Sequence, residues 1–155
     1  MGVINIKKKD IDLICRLRGN SRTSLTNLSK ETRMPITTIH DKLKILVKEN
    51  IIKKYTTIVD LEKLGFAVKA ILILKIKKGD KETFKDYAKK HSAVNNLFQI
   101  NNGYDFILEV IFNNMKLMEE FRERIEDRFD IVKIEVHYIM EELKREDFKP
   151  LEIFK

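Results

Sequence analysis

Residues 35–50 constrain the fold of this chain more than any other stretch, because their apolar and polar positions separate at helical spacing. At about 100° per residue, the apolar positions fall on one side of a helix. They are Ile36, Ile39, Leu43, Leu46 and Val47. The other side carries Thr37, Asp41, Lys44 and Lys48, flanked by Thr38, His40 and Lys42. Such groups read base edges and bind phosphates, so the stretch is either a DNA-recognition helix or an ordinary solvated helix.

The segments before this helix favour the first interpretation. Residues 7–18 predict a first helix that ends at Gly19 and Asn20. Either Thr23 or Ser24 can cap a second helix, which runs to about residue 31. Pro35 lacks an N–H and suits the start of the third helix. Three helices with a tight turn before the third form a helix-turn-helix, so residues 1–50 are predicted to be a DNA-binding domain.

Residues 51–65 predict a connection between two domains. Residues 51–55 and 57–60 alternate weakly in hydropathy, so we expect them to form a small wing or a linker strand. Residues 61–65 end in a Leu-Gly pair and are expected to be a hinge.

From residue 66 the pattern changes to short β-branched, apolar runs separated by amphipathic stretches. Predicted strands cover 66–76, 94–100, 104–112 and 131–140, and predicted helices cover 80–91 and 114–128. This order is that of the ferredoxin-like βαββαβ fold. The chain is therefore predicted to be α+β, with the ferredoxin-like unit at 66–144. A charged tail at 145–155 ends in LEIFK, and its apolar residues are expected to dock on a partner.

The central strands of this second domain are apolar on both faces. Ile71, Ile73, Ile107 and Ile111 stand on the opposite parity from Leu72, Leu74, Leu108 and Val110. Two helices cover only one face of such a sheet, so the second face also requires burial. In a domain this small, another copy of the chain covers it most easily, and the sequence predicts a homodimer through this domain.

Charge and cysteine content narrow the partners and the compartment. The net charge is +7 and the sequence pI is about 9.4, which favours an anionic partner, nucleic acid first. Charge alone leaves single-stranded RNA, a membrane surface or mere solubility open. Cys15 is the single cysteine, so no internal disulfide forms, which suits a reducing cytoplasm. No apolar run reaches the roughly 18 residues of a membrane span, and no signal peptide is visible, so a cytoplasmic protein is expected.

These pieces, in this order and spacing, resemble the Lrp/AsnC family of prokaryotic transcription regulators. The matching pieces are Asp10 followed by an apolar helix, Arg22, the second helix around Leu28, ITTIHDKLKIL, NIIKKYTTIVDLEKLG and NNGYDFILEV. The resemblance extends from Ile6 to about Lys144. It implies a helix-turn-helix followed by an effector-sensing domain, dimers that assemble further, often into octamers, and an amino acid bound between sensing domains. Arg33 and Pro35 stand where many members have Gly and a capping Ser, and Val136 stands where many have Thr.

For DNA binding, the sequence predicts three groups of residues. Thr37, Thr38, His40 and Asp41 are expected nearest the base edges. Lys42, Lys44 and Lys48 are expected to bind phosphates, as are Arg22, Thr23 and Ser24 at the start of the second helix. Two copies should read a pseudo-palindrome. The alternatives are that the lysines are solvated charges, that His40 packs against the first helix and that Asp41 pairs with Lys44.

For effector binding, the predicted site is the loop at Gly103, Tyr104 and Asp105, with Val136 and Tyr138 of the last strand. Gly103 can adopt positive φ, which lets backbone N–H groups approach a carboxylate. Asp105 either receives an α-ammonium group or holds the loop by hydrogen bonds, and Tyr104 walls the pocket. The alternative is a plain hairpin turn with a structural Asp105.

Signals for an enzyme are weak, and no cofactor is predicted. His40, His91 and His137 are far apart in sequence, and no metal-binding or nucleotide-binding motif occurs. Two alternatives remain: an Lrp-like tetrapyrrole (siroheme-type) decarboxylase using His91 or His137, and an RNA-binding module, which would lack clustered aromatic residues for base stacking.

Overall fold

The computed structural model describes residues 6–150, which divide into two units. The first unit holds the described residues before Val59 and after Glu142, and the second unit is Val59–Glu142. The first division therefore falls just before the expected hinge at 61–65, where Glu62–Leu64 forms a single 3-10 turn that ends at Gly65, with φ 86°.

The first unit contains the three predicted helices, α1 (Lys8–Gly19), α2 (Leu25–Thr32) and α3 (Ile36–Lys48). Their shared core consists of Leu13, Leu28, Met34, Ile39 and Leu46. The helix-turn-helix prediction is confirmed. Two members of the predicted apolar side of α3 are not core residues: Ile36 is 44% exposed and Val47 is 47% exposed. At 100° per residue, they lie at one edge of the apolar arc centred on Ile39, Leu43 and Leu46.

The turn between α2 and α3 is built on a strained residue. Arg33 follows α2 with φ 54° and ψ 36°, the left-handed conformation that glycine adopts without steric penalty. Pro35 then precedes α3 without a side-chain cap, and the helix begins at Ile36. The turn thus places an arginine in a backbone conformation that is unfavourable for a residue with a Cβ atom.

Arg33→Gly should therefore raise the free energy of unfolding by about 0.5–1 kcal/mol, because it removes the Cβ from a left-handed residue. Urea denaturation followed by helical circular dichroism measures this change. Asn50→Gly is the matched control, because Asn50 also has positive φ (59°) but asparagine tolerates that region better. A lower denaturation midpoint for Arg33→Gly would contradict the assignment.

Residues 53–60 form no strand within one protomer, so the strand pairing expected for a wing or linker at 51–60 is not seen there. The reason is local: Asn50 ends α3 in a Schellman arrangement, in which Ile51 N–H donates to Leu46 O (2.9 Å) and Asn50 N–H donates to Val47 O (3.0 Å). Ile51 and Ile52 then pack against the three-helix core instead of starting a strand.

The second unit has the predicted order of strands and helices. It comprises β1 (Val68–Ile76), α4 (Lys81–Lys90), β2 (Val94–Gln99), β3 (Phe106–Phe112), α5 (Met115–Arg128) and β4 (Ile131–Tyr138). The sheet order is β2-β3-β1-β4, with every pair antiparallel. This is the ferredoxin-like topology, so the predicted α+β fold is confirmed.

The two faces of this sheet differ as the sequence predicts. Alternate residues of β1 and β3, including Leu72, Leu74, Leu108 and Val110, are fully buried under α4 and α5 with Phe84 and Phe121. The intervening residues Ile71, Ile73, Ile107 and Ile111 are only half-buried. Phe98 of β2, opposite Ile107, is 56% exposed. We call the surface formed by Ile71, Ile73, Phe98, Ile107 and Ile111 the open sheet face.

The segment after β4 belongs to the first unit. Arg18 at the end of α1 donates to Phe148 O (Nε, 3.1 Å) and, through Nη2, to both Glu146 O and Glu146 Oε2 (3.1 Å each). Residues 139 and 140, predicted as the end of the last strand, lie beyond β4. The expected docking of LEIFK on a partner concerns residues 151–155, which lie outside the described residues. Within 6–150, no helix is long and apolar enough to cross a membrane.

Candidate DNA interface and effector site

The outer face of α3 is polar and open to solvent. Thr37, Thr38, His40, Asp41, Lys44 and Lys48 are all exposed. His40 is not packed against α1: its Nδ1 lies 3.6 Å from Asp41 Oδ1, and both side chains are more than half exposed. Among the described residues, the close side-chain contact of Asp41 is with His40 rather than with Lys44. The face is therefore open to an external partner.

Lys42 does not belong to this face. Its ammonium forms a hydrogen-bonded ion pair with Asp10 Oδ1 of α1, and the two side chains are only 24% and 13% exposed. Asp10 also accepts a hydrogen bond from Lys7 N–H (2.9 Å) at the start of α1. Burial raises the pKa of Asp10, but these two partners outweigh burial and bring it below its ordinary value. The charge of Lys42 thus joins α3 to α1 in this structure, and its binding to phosphate stays a prediction.

Of the three predicted phosphate-binding residues at the start of α2, only some have a group available to an anion. Ser24 caps the helix, and its Oγ accepts from Asn27 N–H at 3.1 Å, so this hydroxyl is already used within the protein. Thr23 is half-buried, whereas the Arg22 side chain is exposed. Arg22 is thus the residue of this group whose positive charge is available to bind a phosphate.

Ile45 is a residue of the α3 face that sequence reasoning missed. It is 53% exposed and lies four positions after Asp41 and seven after Thr38, on the polar side of the helix. The signal was present in the sequence, since Ile45 does not fit the spacing of Ile39, Leu43 and Leu46. An exposed apolar side chain here can contact a thymine methyl group.

In the second unit, Asp105 is a structural residue. Its Oδ2 accepts from Ile76 N–H (2.9 Å), and its Oδ1 accepts from Lys81 Nζ (2.5 Å). Its own N–H donates to Leu74 O (2.8 Å), and its carbonyl accepts from Ile100 N–H (2.9 Å). Burial raises the pKa of Asp105, but Ile76 and Lys81 outweigh burial and lower it overall. Of the two roles considered for Asp105, holding the loop is the one that these contacts support.

Gly103 and Tyr104 lie beside a charged group on β4. Gly103 has φ 95°, as expected for this turn. The Tyr104 hydroxyl donates to Glu135 Oε1 and accepts from Lys133, whose ammonium lies 4.8 Å from the centre of the Tyr104 ring. Lys133 Nζ lies 2.8 Å from Glu135, and His137 Nε2 lies 3.6 Å from the same carboxylate. The hydrogen bonds from Lys133 and Tyr104 lower the pKa of Glu135 to about 2.

The remaining predicted effector residues, Val136 and Tyr138, lie on the helix-covered face of the sheet. Val136 pairs with Leu72 and packs into the core under the helices, and Tyr138 pairs with Ala70, two residues further along β1. The Tyr138 hydroxyl donates to Glu119 Oε1 of α5 (2.9 Å), so it serves the helix-covered face. Within one protomer the five residues do not form one site, because alternation along β4 separates Val136 and Tyr138 from Glu135 and His137.

A helix-turn-helix with an open third helix, joined to a ferredoxin-like unit, defines a two-domain DNA-binding regulator. Comparison with family models gives two matches. Residues 69–147 match the Lrp/AsnC ligand binding domain, and residues 6–53 match a winged helix-turn-helix DNA-binding domain. The chain belongs to the Lrp/AsnC family of transcriptional regulators, which confirms the resemblance seen in the sequence.

Relatives across bacteria and archaea agree with this assignment. The chain is 26% identical over 116 residues to the HTH-type transcriptional regulator FL11 of Pyrococcus horikoshii, covering 75% of this chain and 77% of that protein. It is 27% identical over 112 residues to LrpC of Bacillus subtilis, covering 72% and 78%. The structure of B. subtilis LrpC superposes with a TM-score of 0.82 at 23% identity, covering 91% and 99%. A transcriptional regulator from Neisseria meningitidis, NMB0573, solved as a complex with L-Met, superposes with a TM-score of 0.84 at 20% identity, covering 91% and 94%.

Proposed function

We propose that this regulator binds double-stranded DNA as a homodimer that reads a pseudo-palindromic operator with the exposed face of α3. The observation that carries the proposal is the open polar surface of Thr37, Thr38, His40, Asp41, Lys44 and Lys48. A helix with such a face, supported by a small core on its other side, fits the major groove of B-form DNA. In this arrangement Thr37, Thr38 and Asp41 contact base edges, and Ile45 adds an apolar contact.

The positive charge of the chain supports duplex binding. Lys44, Lys48 and Arg22 are exposed, and the net charge of +7 brings the protein to a polyanion. Each lysine or arginine that binds a phosphate releases counterions, so affinity should fall steeply as salt rises. These interactions position the helix, whereas the groups that point at base edges provide sequence preference.

Two recognition helices require a dimer, and the open sheet face supports one. It presents the half-buried Ile71, Ile73, Ile107 and Ile111 together with the exposed Phe98. A second copy of the chain buries these residues through a two-fold interface. Further assembly, to an octamer, is part of the proposal because the family resemblance implies it. A cytoplasmic location follows from the DNA partner.

The test is to select bound sequences from random duplex DNA and then compare two double variants on the selected operator. Thr38→Ala with Asp41→Ala should relax sequence preference by roughly 1–3 kcal/mol for each base-reading interaction removed. Lys44→Gln with Lys48→Gln should instead weaken binding to all duplexes and reduce the salt slope by about one for each phosphate that is no longer neutralised. The control is Lys89→Gln, an exposed residue of α4. Operator selectivity that survives the first pair unchanged would contradict the proposed roles.

An amino acid is the effector class that the second unit supports best. Lys133 and Glu135 present charges of both signs near the Gly103 turn, which suits a zwitterion with an ammonium and a carboxylate group. The relative from N. meningitidis was solved with L-Met, which supports the same class. Calorimetric titration with the common amino acids is expected to give saturable heat for at least one, and Lys133→Gln should abolish it while leaving the fold intact. Heat from none of them would contradict this part of the proposal.

Enzymatic and RNA-binding roles have less support, and we propose that the protein is not an enzyme. His91 Nδ1 accepts from Ala93 N–H (3.2 Å) and its ring packs 4.7 Å from Phe121 under the helices, whereas His137 lies on the opposite face of the sheet. The two imidazoles therefore do not share a site for iron. Among residues 6–150, no cluster of His, Cys, Asp and Glu is arranged to hold a metal ion. Competition between duplex DNA and RNA separates the proposed function from RNA binding.

A further inference from the structure

The helix-covered side of the second unit has a hollow between α4 and the C-terminal end of α5. Its volume is about 420 Å³, which is within the range of small-molecule sites. Four of its residues recur at i, i+3, i+4 and i+7 along α4, so they share one face of that helix. The residue after α4 and the last residue of α5 complete the lining, which consists of Thr83, Asp86, Tyr87, Lys90, His91 and Arg128. We call it the α4 hollow.

Aromatic rings hold the guanidinium group of Arg128 in this hollow. Its central carbon lies 5.0 Å from the centre of the Tyr87 ring and 5.6 Å from the centre of the Phe129 ring. Such stacking uses the flat face of a guanidinium and leaves the N–H groups in its plane free to donate. Within residues 6–150, Arg128 forms no ion pair with a carboxylate. Arg128 therefore presents a positioned fork of donors, the geometry that binds two oxygens of a phosphate or carboxylate.

Two further donors line the same hollow. Lys90 is exposed and, in the part of the chain that the structure describes, forms no ion pair. His91 Nδ1 accepts from Ala93 N–H (3.2 Å), so the proton of the neutral ring is on Nε2, which can donate to a ligand. Burial and the positive charge of Arg124 lower the pKa of His91 below its ordinary value, which keeps the ring neutral at pH 7. The hollow thus offers a guanidinium, an ammonium and a neutral N–H group to an oxyanion.

Asp86 adds one negative group to this lining. Its carboxylate is exposed and has no ion-pair partner among residues 6–150. It opposes an anion without hydroxyl groups, but it can accept hydrogen bonds from ligand hydroxyls, as acidic residues do from ribose in dinucleotide sites. Basic residues often end helices because they offset the helix dipole, but that role does not require a guanidinium stacked over a hollow. Two cations and one hydrogen-bond acceptor fit a ligand that combines a phosphate with hydroxyl groups.

We propose that the α4 hollow binds a phosphate monoester that carries hydroxyl groups, such as a sugar phosphate. Arg128 and Lys90 bind the phosphate oxygens, His91 Nε2 donates to the same group, and Asp86 accepts from a hydroxyl of the ligand. Because the hollow is on the helix-covered side and Glu135 lies on the opposite face of the sheet, this ligand does not compete with an amino acid bound near the Gly103 turn. The inference goes beyond DNA and effector binding and depends on neither.

Calorimetric titration of the full chain tests the ligand class. Ribose 5-phosphate is the probe, and inorganic phosphate and ribose are its two halves. Ribose 5-phosphate is expected to give saturable heat, inorganic phosphate should bind more weakly because Asp86 opposes it, and ribose should give no heat. The absence of heat from ribose 5-phosphate at millimolar concentration would overturn the proposal. So would equal affinity for inorganic phosphate, since the site would then take the free ion rather than an ester.

Substitutions in the lining test the assigned roles. Arg128→Gln and Lys90→Gln should each weaken binding of ribose 5-phosphate about tenfold or more, because each removes a charge-assisted hydrogen bond. Lys90 is exposed, so its replacement should leave the fold intact. The matched control is Lys89→Gln, which removes the same charge from the neighbouring exposed position of α4, outside the hollow, and should bind as wild type does. An equal loss in Lys89→Gln and Lys90→Gln would show only general attraction of anions and would contradict the site.

Asp86→Ala separates recognition of the hydroxyl groups from recognition of the phosphate. Removing the carboxylate should weaken binding of ribose 5-phosphate and strengthen binding of inorganic phosphate, so the preference for the ester should disappear. This change of preference is independent of the total amount of folded protein, since both ligands are measured on the same variant. A preference that survives in Asp86→Ala would overturn the role of Asp86 and the assignment of the ligand class.

Discussion

Ile73→Glu is expected to block the proposed dimer interface and leave the chain monomeric. Ile73 lies in the central strand β1, on the open sheet face, between Ile107 of β3 and Glu135 of β4. In a two-fold interface on this face, the new carboxylate would be buried near its symmetry mate and near Glu135, and an unpaired buried charge costs several kcal/mol. Sedimentation velocity at micromolar concentration should show a monomer, and affinity for an operator with two half-sites should fall by about 100-fold or more.

Two comparisons separate loss of the interface from loss of the fold. Lys89→Gln makes the same change in net charge on the helix-covered side of the unit and should leave the dimer intact. Ile107→Lys tests the neighbouring position of the same face with the opposite charge and should also give monomers. Far-UV circular dichroism should match wild type for all three, since Ile73 and Ile107 are only half-buried in one protomer. A dimer that persists in both face variants would place the interface elsewhere.

Asp105→Ala is expected to lower the free energy of unfolding of the second unit by about 2–3 kcal/mol. The substitution removes the acceptor of Ile76 N–H, and Ile76 is only 2% exposed, so the donor cannot turn to water. It also leaves Lys81 without its partner. Denaturant titration followed by a probe in this unit measures the loss.

Asp105→Asn distinguishes the hydrogen bond from the charge. Asparagine can still accept from Ile76 N–H, so its cost at neutral pH should be smaller than that of alanine. Because the folded pKa of Asp105 is below its ordinary value of 3.8, the stability due to its charge is present above pH 3.8 and is lost as pH falls through the lower folded value. The difference between wild type and Asp105→Asn should therefore shrink below pH 3.8. A difference that stays constant as pH falls well below 3.8 would mean that the ionised form contributes nothing.

The fold was predictable because short-range patterns and tertiary structure agree. The alternation of Leu72 and Leu74 with Ile71 and Ile73 already gave β1 two different faces, and the structure keeps that division. The spacing of Ile39 and Leu46 placed the inner side of α3 correctly. In these elements the local pattern and the packing favour the same result.

The site was less predictable, because it depends on which neighbour each side chain meets. The sequence predicted phosphate binding for Lys42 but not its ion pair with Asp10, which lies 32 positions away in sequence. Asp105 looked like a ligand group, but Ile76 and Lys81 use its two oxygens. The resemblance placed Val136 in the effector site. In the structure Val136 pairs with Leu72 of β1, and both side chains lie on the core side of the sheet. Periodicity shows which face a residue occupies but not which long-range partner satisfies its charge.

The polypeptide leaves the DNA-binding unit after Ile58 and re-enters it at Leu143, so the effector-sensing unit is an insertion within the other. Two peptide connections therefore join the two units, and after a cut within residues 59–65 only noncovalent contacts, such as those of Arg18 with Glu146 and Phe148, would hold the two fragments together. The backbone thus crosses between the two units twice, whereas most tandem-domain chains are joined by a single linker.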